Sequence, residues 1–339
     1  MTFDIILLGH GSGGTLSHRL LDELIVPTLS GLGPRDQNDA AVLPAVNGRL
    51  AFTTDSYVVD PLFFPGGDIG SLAIFGTVND LAMAGARPLF VSVGLILEEG
   101  LAVADLRRVL ESLRSAADRC GVRIVTGDTK VVPRGKADKL FINTAGVGAI
   151  EHDLSIIGSG ARPGDRVLIN GSFGDHGMAV LASREGLELT TPIRSDCAPL
   201  HGLVHDLLTE IGAAVHVLRD PTRGGVATTL KEIARQSDMA IVLDETALPV
   251  NPAVAGACAL LGFDPLYVAN EGKLLACVAP ETAEAALAIM RRHAPDGESG
   301  PAVIGEVLGE SGGKVRLRTA IGGMRAIEML AGEQLPRIC

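Results

Sequence analysis

Apolar residues follow two spacings along this chain, and each spacing predicts one kind of secondary structure. Short runs rich in Val, Ile and Leu predict strands, and apolar residues three or four positions apart predict amphipathic helices. In the first part of the chain the patterns predict strands at 4–8, 50–54, 89–97, 122–131 and 140–149, and helices at 15–29, 69–84 and 103–120.

A second set of elements begins after the turn Ala-Arg-Pro-Gly-Asp at 161–165, where strands and helices alternate. Strands are predicted at 166–170, 215–218, 240–243, 274–278, 302–308 and 314–318, and helices after the loop 171–177 and at 196–211, 224–236, 252–261 and 281–293. The pattern weakens after residue 322. We therefore predict an α+β domain at 1–153, an α/β domain at 154–320 and a mobile tail at 321–339.

Composition and charge narrow the classes of function. The 339 residues suffice for two domains, and 47% of them are hydrophobic although the chain has no Trp. A net charge of −11 argues against a nucleic-acid or anionic-membrane partner, since either needs clustered Lys and Arg. No run of 18 apolar residues or secretory signal is evident. Five cysteines without a C-x-x-C pair favour a reduced, cytoplasmic protein.

The cysteines divide into two kinds. Cys120, Cys197, Cys258 and Cys277 lie in apolar patterns and are predicted to be core residues, whereas Cys339 is the last residue of the sequence. Packing does not readily account for a thiol at that position. On the predicted helix 196–211, Cys197 would share a face with His201 and His205. A zinc site there lacks a second ligand pair, so surface or interface histidines are the favoured interpretation.

A glycine loop at 9–14, Gly-His-Gly-Ser-Gly-Gly, formally matches G-x-G-x-x-G. The helix after it is not followed by the second strand that a dinucleotide fold requires, so we disfavour that fold. Gly11 and Gly13 are better explained as part of a flap that lies across phosphates. A plain surface loop remains the alternative.

Aspartates recur where apolar segments end, at Asp39, Asp55, Asp80, Asp128 and Asp220. No Walker sequence accompanies them. Uncompensated carboxylates beside apolar segments are costly, and Mg²⁺ prefers such oxygen ligands together with nucleotide phosphates. Helix capping is the alternative, and for Asp220 it is about as probable as metal binding. Capping explains little about Asp80, which lies within a predicted helix.

Two further side chains are candidates for chemistry. Lys130 follows Gly127 and Asp128 near the end of a predicted strand, where it could neutralise a phosphoryl group during transfer. Glu271 lies at the edge of another strand, where it could serve as a general base. A solvent-exposed lysine and an ordinary turn residue are the respective alternatives.

Taken together and in order, these segments resemble the HypE family, the carbamoyl dehydratases of NiFe-hydrogenase maturation. The resemblance runs nearly end to end, and its most specific element is the final Pro-Arg-Ile-Cys. The segments that carry it include GHGSGG at 9–14, TTDSYVVDPLFFPGGDIG at 53–70, TGDTKVV at 126–132, GDHG at 174–177, DPTRGGV at 220–226, ANEGKL at 269–274 and PRIC at 336–339.

The resemblance implies a PurM-like fold, that of the aminoimidazole ribonucleotide synthetase superfamily. Its first domains pair into a homodimer with a shared β-barrel, and ATP and Mg²⁺ lie between the domains. By motif, the implied Mg²⁺ ligands are Asp39, Asp55, Asp80 and Asp220, the implied nucleotide contacts include Asn79, Asp80, Gly127 and Asp128, and the residues that act on the reacting group are Lys130 and Glu271.

The same resemblance implies a reaction on the chain's own thiol. Cys339 would receive a carbamoyl group from a carbamoyltransferase, ATP would phosphorylate the carbamoyl oxygen, and loss of phosphate would leave a thiocyanate. The tail would then deliver cyanide to iron on a scaffold complex. The alternatives are an ATP-dependent synthetase or kinase for a small molecule, which leaves Cys339 without a role, and a non-enzymatic carrier, which leaves the aspartates without one.

Overall fold

The structure is a computed structural model that describes residues 3–29, 39–187, 191–295, 300–330, 332 and 337–339. Within these residues the strands form two main sheets, one on each side of the segment 151–165. No helix in this part of the chain is both long and apolar enough to span a membrane. The proposed division at residue 153 stays a prediction.

The first sheet is a four-stranded sheet in the described residues, with the order β1-β6-β4-β5. Its strands are β1 (Arg49–Tyr57), β4 (Arg87–Glu98), β5 (Arg123–Val132) and β6 (Leu140–Ile150). Strands β4 and β5 run parallel, and the other neighbours are antiparallel. The sheet is not closed into a barrel.

One face of this sheet is covered by helices α3 (Ile69–Met83) and α4 (Val103–Cys120). Alternate β4 residues such as Val93 and Leu95 face them and are buried. The α3 helix begins at Asp68, whose carboxylate accepts hydrogen bonds from the main-chain N–H groups of Gly70 and Ser71 and from the Ser112 hydroxyl. This cap fixes the start of the helix that carries Asn79 and Asp80.

The second sheet is mixed, with the order β13-β12-β9-β11-β7-β10-β8 in the described residues. Its strands are β7 (Arg166–Ile169), β8 (Val215–Arg219), β9 (Ala240–Asp244), β10 (Leu275–Val278), β11 (Ala302–Leu308), β12 (Val315–Arg318) and β13 (Met324–Ile327). Most neighbours are antiparallel, and β12 is parallel to β9.

Both faces of the second sheet are covered. Val167 and Ile169 pack towards α7 (Gly225–Ser237), and Leu168 packs towards α6 (His201–Glu210) and α9 (Ala283–His293). This alternation along one strand explains why the predicted strands here are almost wholly apolar. The remaining α-helices in the described residues are α1 (Thr15–Leu20), α2 (Val26–Leu29), α5 (Asp175–Glu185) and α8 (Pro252–Leu261), and a short hairpin joins β2 (Phe63–Phe64) to β3 (Gly67–Asp68).

Two predicted elements are wrong. The segment 4–8 forms only an isolated bridge from Ile5 to Ala102, because its partner segment turns into α4 at Val103 and offers no further ladder. The helix predicted at 196–211 begins only at His201. Pro199 has no main-chain N–H and disfavours helical geometry at the residue before it, so the helix cannot extend towards residue 196.

Three strands are not predicted by the sequence patterns, namely the short β2 and β3 and the strand β13. Residues 324–327 pair with β12 as the edge of the second sheet, although their sequence shows little period-two pattern, since three of the four residues are exposed. Residues 331 and 333–336 of the proposed tail lie outside the described residues. Residues 337–339 are described and lie against the first domain and α5, as set out below.

The Asp68 cap yields a stability prediction. We expect Asp68→Ala to lower the free energy of unfolding by about 1–2 kcal/mol, because two N–H groups of the first turn lose their acceptor. Asp68→Asn keeps an acceptor oxygen and should lose only a few tenths. Urea unfolding of both variants measures the difference, with Glu111→Ala, on the exposed side of α4, as the control. Equal losses in the Ala and Asn variants would contradict the capping role.

Candidate functional site

A cleft of about 520 Å³ lies between the two domains. The first domain contributes Thr53 and Asp80 to its lining, and the second contributes Asp220 and Arg223. Strand β1, the segment after β8 and helix α3 meet here, so charged groups from distant parts of the chain face one another.

Asp80 projects from α3, whose neighbouring residues are small and apolar, and its carboxylate accepts a 2.8 Å hydrogen bond from the Thr53 hydroxyl. Burial raises the pKa of Asp80, and the nearby charge of Asp55 raises it further. The Thr53 hydrogen bond and the charges of Arg219 and Arg223 act in the opposite direction. The pKa of Asp80 is raised overall, which indicates that its neighbours only partly stabilise the charged carboxylate.

Asp55 and Asp220 complete this acidic group. Asp55 lies on β1 on the same face as Thr53, and its carboxylate is 3.8 Å from the Arg223 guanidinium. Asp220 directly follows β8, and burial together with the charge of Asp80 raises its pKa to about 7. Helix α7 begins five residues later, with Gly224 at its N-cap position, so Asp220 does not cap it. The capping alternative for Asp220 is therefore wrong.

These three aspartates fit the requirements of a divalent cation, because their mutual repulsion leaves negative charge that the surrounding residues do not neutralise. Within the described ranges, no three His, Cys, Asp or Glu side chains are grouped closely enough to hold a metal alone. Mg²⁺ commonly takes one or two carboxylates and completes its shell with water and phosphate oxygens. The site therefore suits a cation that arrives with a nucleotide.

Glu271 is buried in the loop that precedes β10, and its main-chain atoms fix its place. Its N–H donates to the Asp196 carboxylate at 3.1 Å, and its carbonyl accepts from the Asn79 side chain at 3.3 Å. Burial raises the pKa of Glu271 well above its usual value, and the charges of Asp196, Asp220, Asp55 and Asp80 add to the rise. A carboxylate held this way accepts a proton more readily than an exposed one.

Asn79 joins the two domains at this point. Besides the Glu271 carbonyl, its side-chain NH₂ donates to the Ala198 carbonyl, and its oxygen accepts from the N–H of Leu200. The nucleotide contact predicted for Asn79 stays a prediction. Its observed hydrogen bonds hold the Glu271 loop against α3.

The Cys339 side chain packs against the core of the first domain, close to these charged residues. Burial raises the pKa of this thiol to about 12, and the charges of Glu271 and Asp55 raise it while Arg223 lowers it. The thiol therefore lies within electrostatic reach of the acidic group and of Glu271. Its main-chain oxygen accepts a 3.1 Å hydrogen bond from the N–H of Val58, at the end of β1.

Asp128 and Lys130 lie elsewhere in this chain. They form an exposed ion pair at 2.8 Å on β5, which holds the pKa of Asp128 below its usual range. Asp128 pairs with Gly94 and Lys130 with Ile96, and these residues alternate with the buried Val93 and Leu95. The ion pair thus lies on the open face of the first sheet, away from α3. Their predicted roles stay predictions.

The predicted glycines also lie near β5. A side chain at Gly11 would meet Val131 at 2.9 Å, so the glycine loop packs closely on this strand, and Gly13 has a positive φ of 77°. A side chain at Gly127 would lie 2.4 Å from the Val93 carbonyl. Asp39 is exposed. The nucleotide and metal contacts of these residues stay predictions.

The metal interpretation of the Cys197 helix is not supported. Cys197 lies four residues before α6 and therefore does not share a helix face with His201 and His205. Instead its N–H donates to the Ser195 hydroxyl, and burial raises the pKa of its thiol. Among the described residues, no group of His, Cys, Asp and Glu that includes it could hold a metal.

Sequence reasoning missed three residues that organise the site. Arg223 stands in the Asp-Pro-Thr-Arg-Gly-Gly segment, and a cation three residues after a predicted metal ligand could have indicated its role. Asp196 falls within the helix predicted at 196–211, whereas in the structure it precedes α6 and accepts a hydrogen bond from the N–H of Glu271. His176 lies in the first turn of α5, within the segment 171–177 that is predicted as a loop, and a buried histidine cannot be told from an exposed one by that pattern.

Known families and proteins match this chain over nearly its whole length. Residues 37–150 match the family described as AIR synthase related protein, N-terminal domain, and residues 162–318 match its C-terminal domain. Carbamoyl dehydratase HypE of Cupriavidus necator is 54% identical over 333 residues, which cover 98% of this chain and 94% of that protein. Its Escherichia coli K12 counterpart is 48% identical over 339 residues, covering 98% and 99%.

Solved structures give the same result. A crystal structure of the hydrogenase maturation protein HypE in complex with ATP superposes with a TM-score of 0.91 at 51% identity, covering 98% of this chain and 99% of that one. A HypE–HypF complex gives a TM-score of 0.79 at 43% identity, covering 94% and 100%. A thiamine-monophosphate kinase from Stenotrophomonas maltophilia K279a, 22% identical with a TM-score of 0.63 over 83% and 89%, shares the fold.

The acidic group yields a pH prediction. The folded state keeps the Asp220 proton up to about pH 7, whereas the unfolded chain loses it near pH 4. Stability without metal should therefore fall as pH rises through this window. With chelator at about pH 8, Asp220→Asn should raise the free energy of unfolding by about 1–2 kcal/mol, allowing for the partial exposure of the group.

That gain should shrink as the pH is lowered and disappear below about pH 4. Urea unfolding at several pH values measures it, with Asp128→Asn as the control, because Asp128 is exposed and its pKa is lowered. A gain that did not depend on pH would contradict the repulsion described here.

Proposed function

The chain belongs to the HypE family of carbamoyl dehydratases, within the AIR synthase-related proteins, and from this premise we propose how its residues perform the reaction. It is an enzyme of hydrogenase maturation that uses ATP to dehydrate a carbamoyl group to a thiocyanate. Family membership favours this reaction over a small-molecule kinase or a non-enzymatic carrier.

We propose that Cys339 carries the reacting group. The observation that supports this assignment is the position of its thiol beside the acidic residues, where Glu271, Arg223 and Asp55 all affect its pKa. A pKa of about 12 keeps the docked sulfur protonated, so it is a poor nucleophile there. Carbamoyl transfer to the thiol would then take place with the tail undocked, and dehydration with the tail docked.

In the dehydration, the carbamoyl oxygen attacks the γ-phosphorus of ATP and the bond to the β-phosphate oxygen breaks, giving ADP. The nitrogen loses one proton as the C=N bond forms and a second as the C–O bond breaks, which releases phosphate and leaves S–C≡N. We assign proton acceptance to Glu271, the carboxylate whose charge most raises the pKa of the Cys339 thiol. A tethered tail raises the effective concentration of the group at this base.

ATP binds in the cleft in this proposal, since the cleft is lined from both domains. Asp55, Asp80 and Asp220 would hold Mg²⁺, which when bound neutralises charge on phosphate oxygens. Arg223 lies beside Asp55 and adds a positive charge for the same phosphates. Asp39 would be a further Mg²⁺ ligand, and the glycine loop, with Gly11 and Gly13, would cover the nucleotide.

We further propose that two copies pair through the open face of the first sheet and together close a β-barrel. Leu50 is 64% exposed and Phe52 is 70% exposed on this face, an unusual exposure for large apolar side chains on adjacent outward positions of one strand. Asp128 and Lys130 lie on the same face. Pairing would carry Lys130 to the partner copy, where it could meet a phosphoryl group that it does not reach within one chain.

A carbamoyltransferase is a partner of the family, as the solved HypE–HypF complex indicates. For this chain we propose the corresponding transferase as the carbamoyl donor. An iron-carrying scaffold complex would then accept cyanide from Cys339. The tail would serve both, because a docked thiol reaches neither.

Removing the base should stop the reaction after carbamoyl transfer. In Glu271→Gln we expect thiocyanate to form at least about a hundredfold more slowly, since a general base is lost while the side-chain volume is kept. Mass spectrometry of the peptide ending in Cys339 follows the gain of a carbamoyl group and the loss of one water after ATP is added. Glu284→Gln, on the exposed side of α9, is the control, and Cys339→Ala should give no modified peptide. Turnover at the normal rate in Glu271→Gln would remove Glu271 from the mechanism.

Disrupting the open face should separate the copies. Leu50→Lys places a charge where the proposed pairing buries an apolar side chain, so we expect the dimer to dissociate at least about tenfold more readily. Sedimentation equilibrium measures this change. Leu260→Lys is the control, because Leu260 is 79% exposed on α8 and lies outside the first sheet. An unchanged dimer in Leu50→Lys would place the interface elsewhere.

A further inference from the structure

We propose that Arg184 and His176, both on α5, form a latch that holds residues 337–339 against the first domain through the main-chain oxygens of Arg337 and Ile338. The inference rests on the proposed role of Cys339 as the carrier of the reacting group. It assigns to two side chains of the second domain the task of positioning the sulfur before dehydration.

Arg184 connects the tail to the first domain. Its Nε donates a 2.8 Å hydrogen bond to the carbonyl of Asp60, and a terminal nitrogen of the same guanidinium donates to the carbonyl of Arg337. One rigid, permanently charged group therefore holds two main-chain oxygens from segments far apart in sequence. Hydrogen bonds from charged donors are stronger than those between neutral groups.

His176 holds the next residue. It is fully buried, with Nε2 at 2.9 Å from the carbonyl of Ile338 and Nδ1 at 2.8 Å from the Ser195 hydroxyl. Burial lowers the pKa of His176 to about 4, so the ring is neutral at neutral pH and carries one proton. Because a carbonyl can only accept, that proton lies on Nε2, and Nδ1 accepts from Ser195.

The third oxygen completes the pattern. The main-chain oxygen of Cys339 accepts from the N–H of Val58, so three consecutive residues are each held by one donor. The Ile338 side chain is buried in the core of the first domain beneath them. None of these contacts involves the Cys339 sulfur. The same latch can therefore hold the tail whether the sulfur carries hydrogen, a carbamoyl group or a nitrile.

The latch predicts how quickly Cys339 reacts with iodoacetamide, since alkylation requires an undocked thiolate. We expect Arg184→Met to speed alkylation of Cys339 about tenfold, with Arg184→Lys in between because an amine can still donate to one carbonyl. Arg166→Met is the matched control, since Arg166 pairs with Glu306 in the second sheet and should leave the rate unchanged. Peptide mass spectrometry gives the rate for each cysteine separately.

The histidine is tested by a similar pair of variants. His176→Leu loses the donor and should speed alkylation about fivefold, whereas His176→Gln can place an amide nitrogen near the Ile338 carbonyl and should recover most of the protection. The buried Cys258 and Cys277 report on global unfolding in the same samples. Acceleration at these two cysteines in step with Cys339 in Arg184→Met would overturn the latch, as would an unchanged Cys339 rate in both Arg184→Met and His176→Leu.

A second measurement, the rate of dehydration, should change in the opposite direction to the alkylation rate. It separates this inference from the proposed function. ATP-dependent loss of water from carbamoylated Cys339 should slow in Arg184→Met, because the docked tail then lacks a donor that positions the sulfur for the reaction. If the wild-type chain never loses water, the proposed function fails whatever the alkylation rates are. If it does and Arg184→Met dehydrates at the normal rate, the latch alone is wrong.

Discussion

Repulsion among carboxylates in one cleft is the constraint on which this structure depends. Asp55, Asp80 and Asp220 come from a strand, a helix and a strand end, and Glu271 lies behind them in a buried loop. The charge of Asp55 raises the pKa of Asp80 and of Asp220, and all three aspartates raise the pKa of Glu271, so the cleft holds negative charge that its few cations offset only in part. Such an arrangement lowers the stability of the fold, and binding of a cation with its nucleotide in the cleft would offset this loss.

The fold keeps Asp80 and Glu271 in place despite this repulsion through contacts with neighbouring residues. The Asp68 cap begins α3, the Thr53 hydroxyl orients Asp80, and the Asn79 amide ties the Glu271 loop to the same helix. Both sheets are well packed against their helices, so the charged groups cannot relax by moving apart. Stability in the cores thus permits a site that is unfavourable on its own.

Sequence patterns predicted most of the helices and strands, because the apolar spacing of buried elements is strong. They failed where tertiary contacts decide: the segment at Ile5 lacks a partner ladder, Pro199 delays α6, and the exposed edge strand 324–327 has no apolar period. The aspartates were recognisable because charge beside apolar residues is conspicuous. The contacts of His176 and Arg184 were not, since they are to main-chain oxygens, and no side-chain pattern marks a carbonyl that will be held.

The final residues touch both halves of the molecule. Arg337 pairs with Asp138 and Cys339 with Val58 in the first domain, while His176 and Arg184 reach them from the second. The docked residues 337–339 thus bridge the two domains. By thermodynamic reciprocity, any ligand that draws the halves together strengthens the seating of the terminus, and the seated terminus tightens that ligand by the same factor. For a nucleotide that draws the two domains together, binding and the docking of residues 337–339 would therefore favour each other.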